Sequence, residues 1–224
     1  MTRAEIKRRV RMYTPESPGT SGWDDPFALD QLVKDVTNEV ARKTDCYEDV
    51  RYLDIEEDVQ VYCAPDIYRP VAVFAKDSSD NWNRLFVLRA HDDNFDSVRF
   101  DTAADPVTHV GFRGGNQLVL APTPSTTRAA GLLIEGYCQP GEYWVYDSDG
   151  TAQTPTEDDE CPLPVWAHDA VVYGCMARRA EIARDFNAAA MFRSEYRSLL
   201  GDVAANAALY RARTAKGTTS GRFV

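Results

Sequence analysis

The sequence predicts an α+β fold: a helical bundle formed by both chain ends, with an antiparallel β-sandwich or small barrel inserted between them. Three observations carry this expectation. Pro164 to Gly174 opens a helical run reaching about Arg213; Ile6, Val10 and Tyr13 fall at helical spacing near the other end; and from Val50 onward the middle changes to short alternating runs separated by turn formers. Residues 1–45 and 162–224 are therefore expected to share one helical domain. Residues 46–140 are expected to form a β domain, and residues 141–161 an acidic projecting loop or arm.

The elements follow in chain order. The basic first helix is broken by Pro15 and by Ser17 to Gly22, because proline lacks an amide donor and glycine tolerates conformations that other residues avoid. Asp25-Pro26 supplies a candidate N-cap and a first-turn proline, and Leu29, Leu32, Val33, Val36 and Val40 place one apolar stripe along a helix to about Lys43. Val59, Val61 and Cys63 then alternate with Gln60 and Tyr62, and Pro70 precedes the strand-forming run Val71 to Phe74. Asp77 to Asn81 is a turn between Phe74 and Trp82, leading into a run from Arg84 to Leu88. Gly114-Gly115-Asn116 marks a second hairpin that returns through Gln117 to Leu120, and Gly131 to Tyr137 adds another strand. At the end of the chain, Val165, Val172 and Met176 mark one helix. Phe192, Tyr196, Leu199 and Val203 mark the next, with Asp185 as its cap. The small residues Ala204, Ala205, Ala207 and Ala208 leave room for a close helix neighbour, and Lys216 to Gly221 has a flexible composition.

Length and composition narrow the class. A chain of 224 residues with 44% hydrophobic and 27% charged residues is ample for a buried core and ordinary for a globular protein. Its longest apolar runs fall far short of the roughly 20 residues that span a bilayer, so neither membrane insertion nor a signal segment is expected. The five cysteines (46, 63, 138, 161 and 175) lack C-x-x-C pairing, which points to reduced core thiols. A net charge of −10 argues against a surface that grips phosphates. That charge is uneven. Arg3, Lys7, Arg8, Arg9 and Arg11 make the start basic and Arg211, Arg213, Lys216 and Arg222 make the end basic, while acids gather at Asp45 to Asp58 and at Glu157, Asp158, Asp159 and Glu160.

Catalytic and metal constellations are expected to be absent. His168-Asp169 lies on a helix, where neighbours point about 100° apart and cannot act as base and orienter for each other. His91-Asp92-Asp93 has no second ligand set, and Asp147-Ser148-Asp149-Gly150 lacks the third acid of a calcium loop. Gly114-Gly115 has no Lys-Ser/Thr partner for phosphate, and no G-x-S-x-G elbow occurs. No cofactor, metal or catalytic residue is assigned. Two other readings stay open. In one, the β insert is a carbohydrate- or host-binding module with Trp82, Tyr143, Trp144 and Tyr146 stacking sugars; in the other, unidentified carboxylates degrade cell wall.

The order Tyr62-Cys63-Ala64-Pro65-Asp66-Ile67, Leu118 to Pro124, Ile134 to Tyr137 and the helix from Trp166 to Ala180 resembles the head-to-tail adaptors of tailed bacteriophages. These are also called head completion or connector proteins, or tubular tail proteins in short-tailed phages. The likeness spans nearly the whole chain. Its large β insert departs from the shorter, wholly helical adaptors and is closer to the short-tailed type. The resemblance implies a virion protein at the head–tail junction, made in the host cytoplasm. It further implies a dodecameric ring, a helical domain docked below the portal protein, and a β domain facing the tail or nozzle protein. DNA would pass through the channel without sequence-specific binding, and an acidic wall would let it slide. On that reading Arg211, Arg213, Lys216, Arg222, Phe223 and Val224 are candidate portal contacts, with Phe223 and Val224 as apolar anchors. Asp147, Asp149, Glu157, Asp158, Asp159 and Glu160 are candidate contacts to a neighbouring subunit or to the tail.

Overall fold

The structure is a computed structural model that describes residues 1–13, 26–64, 66–88, 103–113, 117–140 and 156–217, the side chains of 26–28 and 214–217 excepted. It is α+β, with two compact units: Met1–Tyr47 together with Gln139–Val224, and Glu48–Cys138. The breaks expected at 15–22, the turn at 114–116 and the His91 cluster lie outside the described residues.

The helical unit holds α1 (Arg3–Tyr13), α2 (Pro26–Thr44), α3 (His168–Ile182) and α4 (Phe186–Gly217), with a 3-10 turn (Val165–Ala167) leading into α3. The predicted stripe of α2 is its core face: Leu29, Leu32, Val33, Val36 and Val40 are all buried. Ile6 and Val10 of α1 join them in one apolar cluster with Val172 and Met176 of α3 and Phe192, Tyr196 and Val203 of α4. The two ends of the chain therefore build a single core. Two expected core positions do not belong to it. Tyr13, the last residue of α1, is 63% exposed, and Val165 is 80% exposed because it sits in the 3-10 turn rather than on the helix. Asp185 caps α4 as predicted, its Oδ1 accepting the amide of Ala188 at 3.0 Å.

Gly174 explains how α3 meets its neighbours. A Cβ there would lie 2.6 Å from Val36 Cγ1 and 3.0 Å from the ring of Tyr196, so the bare backbone makes the space into which the ring packs. Thr37 and Thr44 are buried on α2 without penalty, since each hydroxyl donates to the carbonyl four residues back at 2.7 Å.

Among the described residues the β unit contains two open four-stranded sheets, not closed into a barrel. One has the order β1-β8-β3-β4 and the other β2-β7-β6-β5, where β1 is Glu48–Ile55, β2 Val61–Cys63, β3 Ile67–Lys76, β4 Trp82–Arg84, β5 Phe86–Leu88, β6 His109–Arg113, β7 Gln117–Ala121 and β8 Arg128–Cys138. The hairpin expected around Asp77 is present: Phe74 pairs with Arg84 and Lys76 with Trp82, while the Asp77 carboxylate accepts the amides of Asn81 and Ser79. These hydrogen bonds hold its pKa below the usual carboxylate value.

Three expectations are corrected. The run from Arg84 to Leu88 is not one strand: the chain leaves the first sheet after β4, buries Leu85, and enters the second sheet as β5. The insert is not wholly antiparallel either, because β5 runs parallel to β6. In β2 the faces are reversed from an apolar-in pattern, with Val61 and Cys63 exposed and Tyr62 buried. The larger ring wins because its hydroxyl is satisfied, donating to the Val59 carbonyl at 2.9 Å and accepting the Glu56 amide at 3.1 Å. Gly136 is required on β8, where a Cβ would stand 2.8 Å from the Arg69 carbonyl and 2.9 Å from Pro70 Cα.

Candidate functional site

The described residues assemble three charged surfaces on the helical unit, each built from segments far apart in sequence. The first is α1 with the acidic residues 156–160. The amides of Arg3 and Ala4 have no partner inside their own helix, as at any helix start; they donate to the carbonyls of Asp159 and Glu157, both at 2.9 Å. Cys161 donates to the Met1 carbonyl at 3.0 Å, and Thr2 and Glu160 form an isolated antiparallel bridge. Where the sequence suggests an arm projecting over 141–161, residues 156–161 lie along α1. Asp147 and Asp149 lie outside the described residues.

Side chains reinforce that contact. Lys7 is buried between two carboxylates, pairing with Glu157 at 2.5 Å and with Asp30 of α2, which also holds Arg3 at 3.1 Å. Asp159 turns back to accept the amide and hydroxyl of Thr156, closing a tight turn whose outer residue, Asp158, is exposed. Among the predicted acidic contacts, Glu157 is thus spent on Lys7 and Asp159 on its own turn. Asp158 and Glu160 present their side chains outward, with no side-chain partner among the described residues.

The second surface is the end of α4. Arg211 is half-buried and donates to the Asp45 carbonyl at 3.0 Å, just past the end of α2. A cation there meets the carbonyl-rich, partly negative end of that helix. Arg213 is exposed, Lys216 is on α4, and Arg222, Phe223 and Val224 lie outside the described residues. The structure therefore separates the basic C-terminal set: Arg211 braces the fold, while Arg213 faces solvent. Leu209 and Tyr210 beside it are 57% and 64% exposed, an apolar pair the sequence reading did not single out.

The third surface is a cleft of about 240 Å3 among α2, α3 and α4, which sequence reasoning missed entirely. Glu39 binds Lys43 at 2.5 Å and also Arg178, and Arg193 pairs with Glu181. Burial alone would raise the Glu39 pKa, but the Lys43 hydrogen bond and the Arg178 and Lys43 charges together hold it low. Tyr196 lines the floor, with the Lys43 ammonium 5.9 Å from its ring centroid; burial, then the Glu39 charge, pushes its hydroxyl pKa up. Arg197 also lines the cleft and has no partner among the described residues. The signal available in the sequence was the i, i+4 spacing of Arg193 and Arg197 on α4. It carries meaning only once α2 and α3 are placed beside that helix.

Elsewhere the chemistry is structural. His168 is buried and its Nε2 donates to the Leu163 carbonyl at 2.8 Å, while burial holds its pKa below the ordinary value. All five cysteines are free; Cys138, Cys161 and Cys175 are buried, and burial pushes the first two up to about 11. Cys63 is exposed, unlike the core thiols that the sequence suggests. Among the described residues no three His, Cys, Asp or Glu side chains gather to hold a metal, and no helix is long and apolar enough to cross a membrane. In the β unit, Asp105 takes both Nη groups of Arg128, and the Tyr52 and Trp82 rings approach to 6.2 Å with both residues exposed. Tyr143, Trp144 and Tyr146 lie outside the described residues.

No curated protein matches the sequence. A family match does, and it covers both helical segments and the whole β insert: over residues 1–220 the chain matches the SU10 adaptor protein family, and it belongs to that family of phage head–tail adaptors.

Proposed function

We propose that the chain is a non-catalytic ring component joining the portal to the tail around the DNA channel. The observation that carries this reading is the adaptor family match across residues 1–220, which takes in both ends of the helical unit. The family resemblance suggests twelve copies. In this reading the helical unit docks on the portal, the β unit faces the tail or nozzle protein, and the net charge of −10 keeps the channel from holding phosphates as DNA slides through. The protein is made in the host cytoplasm and ends at the head–tail junction of the virion.

Portal docking is assigned to the segment beyond Ala212: Arg213, Lys216 and Arg222 as charge contacts, Phe223 and Val224 as apolar anchors. Arg211 is better read as a brace, since it is spent on the Asp45 carbonyl. Truncation after Ala212 keeps that brace and so tests docking without removing it. Sedimentation and native mass of the full chain mixed with the portal encoded in the same genome should show a ring bound to the portal. The truncated chain should keep its helical circular dichroism and lose the portal; retained docking would overturn the role of the tail. A second reading rests on the exposed Tyr52 and Trp82 rings of the β unit, which suit stacking on a sugar. Saturable glycan binding with no ring on the portal would favour it.

A further inference from the structure

The cleft among α2, α3 and α4 is a receptor short of negative charge. Four cations line it against two carboxylates: Glu39 is shared by Lys43 and Arg178, Glu181 serves Arg193, and Arg197 is left over. Unpaired positive charge beside a concave space of about 240 Å3 is complementary to a carboxylate side chain entering from outside, and arginine's planar fork favours two-pronged contact with one. The same chain carries the matching part. At the start of α1, the turn closed by Asp159 and Thr156 and tied down by the Lys7–Glu157 pair displays Asp158 outward, with Glu160 close by in sequence. A turn already held by its own hydrogen bonds loses little conformational freedom on binding, so it is preorganised as a ligand.

From this juxtaposition we infer that Asp158, supported by Glu160, enters the Arg197 cleft of a second copy of the chain. The inference rests on the ring reading above and gives it a contact. Receptor and ligand are different patches of one chain, so the interface is heterologous: each copy offers one cleft and one acidic turn, and a fixed rotation between copies closes a ring. The overall charge of −10 makes copies repel, and a local basic cleft supplies attraction where contact is made.

The test is a charge swap in the full chain, read as ring formation on the portal by native mass and sedimentation. Arg197→Glu and Asp158→Arg are each expected to raise the concentration needed for ring closure about tenfold or more, corresponding to about 1.4 kcal/mol per contact. The double variant is expected to return to within about threefold of the unaltered chain. Neither side chain makes a hydrogen bond or ion pair to described residues, and Arg197→Gln, expected to give a smaller loss in the same direction, guards against misfolding of the reversed variant. If both single variants assemble like the unaltered chain, or the double variant is no better than the worse single one, the contact is overturned while the ring stands. If Arg197→Glu lowers portal affinity but leaves copy-to-copy association unchanged, the occupant is a portal carboxylate and the inference fails. If the unaltered chain forms no ring on the portal, the ring reading itself falls.

Discussion

The helical and β units hold together by different means. The helical unit takes its core from segments more than a hundred residues apart: Ile6 and Val10 share one apolar cluster with Met176, Phe192 and Val203. The β unit is one continuous stretch, Glu48–Cys138, whose elements meet as backbone ladders and are fastened by polar clamps such as Arg128–Asp105 and the Tyr62 hydroxyl. The helical unit joins its remote helices through side-chain packing; the β unit joins its strands through backbone ladders, Glu48 pairing with Tyr137, over buried side chains such as Ile55, Val73, Leu120 and Ile134. An insert with its own hydrogen-bond ladders can interrupt the sequence of a helical unit without contributing to that unit's apolar cluster.

Three perturbations would break or sharpen this contrast. The largest effect is expected from truncating a side chain in the remote-contact core: Met176→Ala should destabilise the helical unit by about 2–5 kcal/mol. Hydrogen exchange should show lost protection in α2, α3 and α4 while β7 and β8 stay protected; equal loss in both units would mean that the two cores unfold as one. Next in size, Asp105→Ala leaves the half-buried Arg128 guanidinium with only the Lys76 carbonyl among the described residues and should cost about 1–3 kcal/mol, confined to the β strands. Hydrogen exchange of the variant, compared between the β7 and β8 amides and those of α3 and α4, would separate the units. The smallest effect is acid sensitivity of the helical unit. His168 is held below its ordinary pKa of 6.5, so the unfolded chain binds a proton more readily than the folded one, and stability is lost as pH falls below about 6.5. His168→Gln should flatten the pH dependence of the helical melt between pH 7 and 5; an unchanged slope would assign it to other groups.

The chain is an adaptor-family component of a phage particle, working among other head and tail proteins. Its interaction surfaces were less legible in the sequence than its fold. The acidic run at 157–160 is plain as charge, yet its four carboxylates have unlike roles: Glu157 pairs with buried Lys7, Asp159 closes a turn, and Asp158 and Glu160 face outward. Likewise Arg211 and Arg213 read as one basic group, but a helix turns about 100° per residue, so one meets the end of α2 and the other meets water. The cleft left only the i, i+4 spacing of Arg193 and Arg197 in the sequence, because Glu39, Arg178 and Arg197 come from three helices.

What the sequence by itself determined is the class and order of the elements: amphipathic periods for the helices, the α2 stripe, the Asp185 cap, the Asp77 turn and the bracketing of a β insert by helices. These depend on neighbours a few residues away, which any chain with this sequence possesses. Tertiary structure decided which faces met. It inverted β2 because a satisfied tyrosine outweighs an exposed valine, divided Arg84 to Leu88 between two sheets, and excluded Tyr13 from the core. Burial and pairing are properties of the assembled chain: whether a charge becomes a buried tie such as Lys7 or an exposed contact such as Asp158 depends on what a remote segment brings beside it.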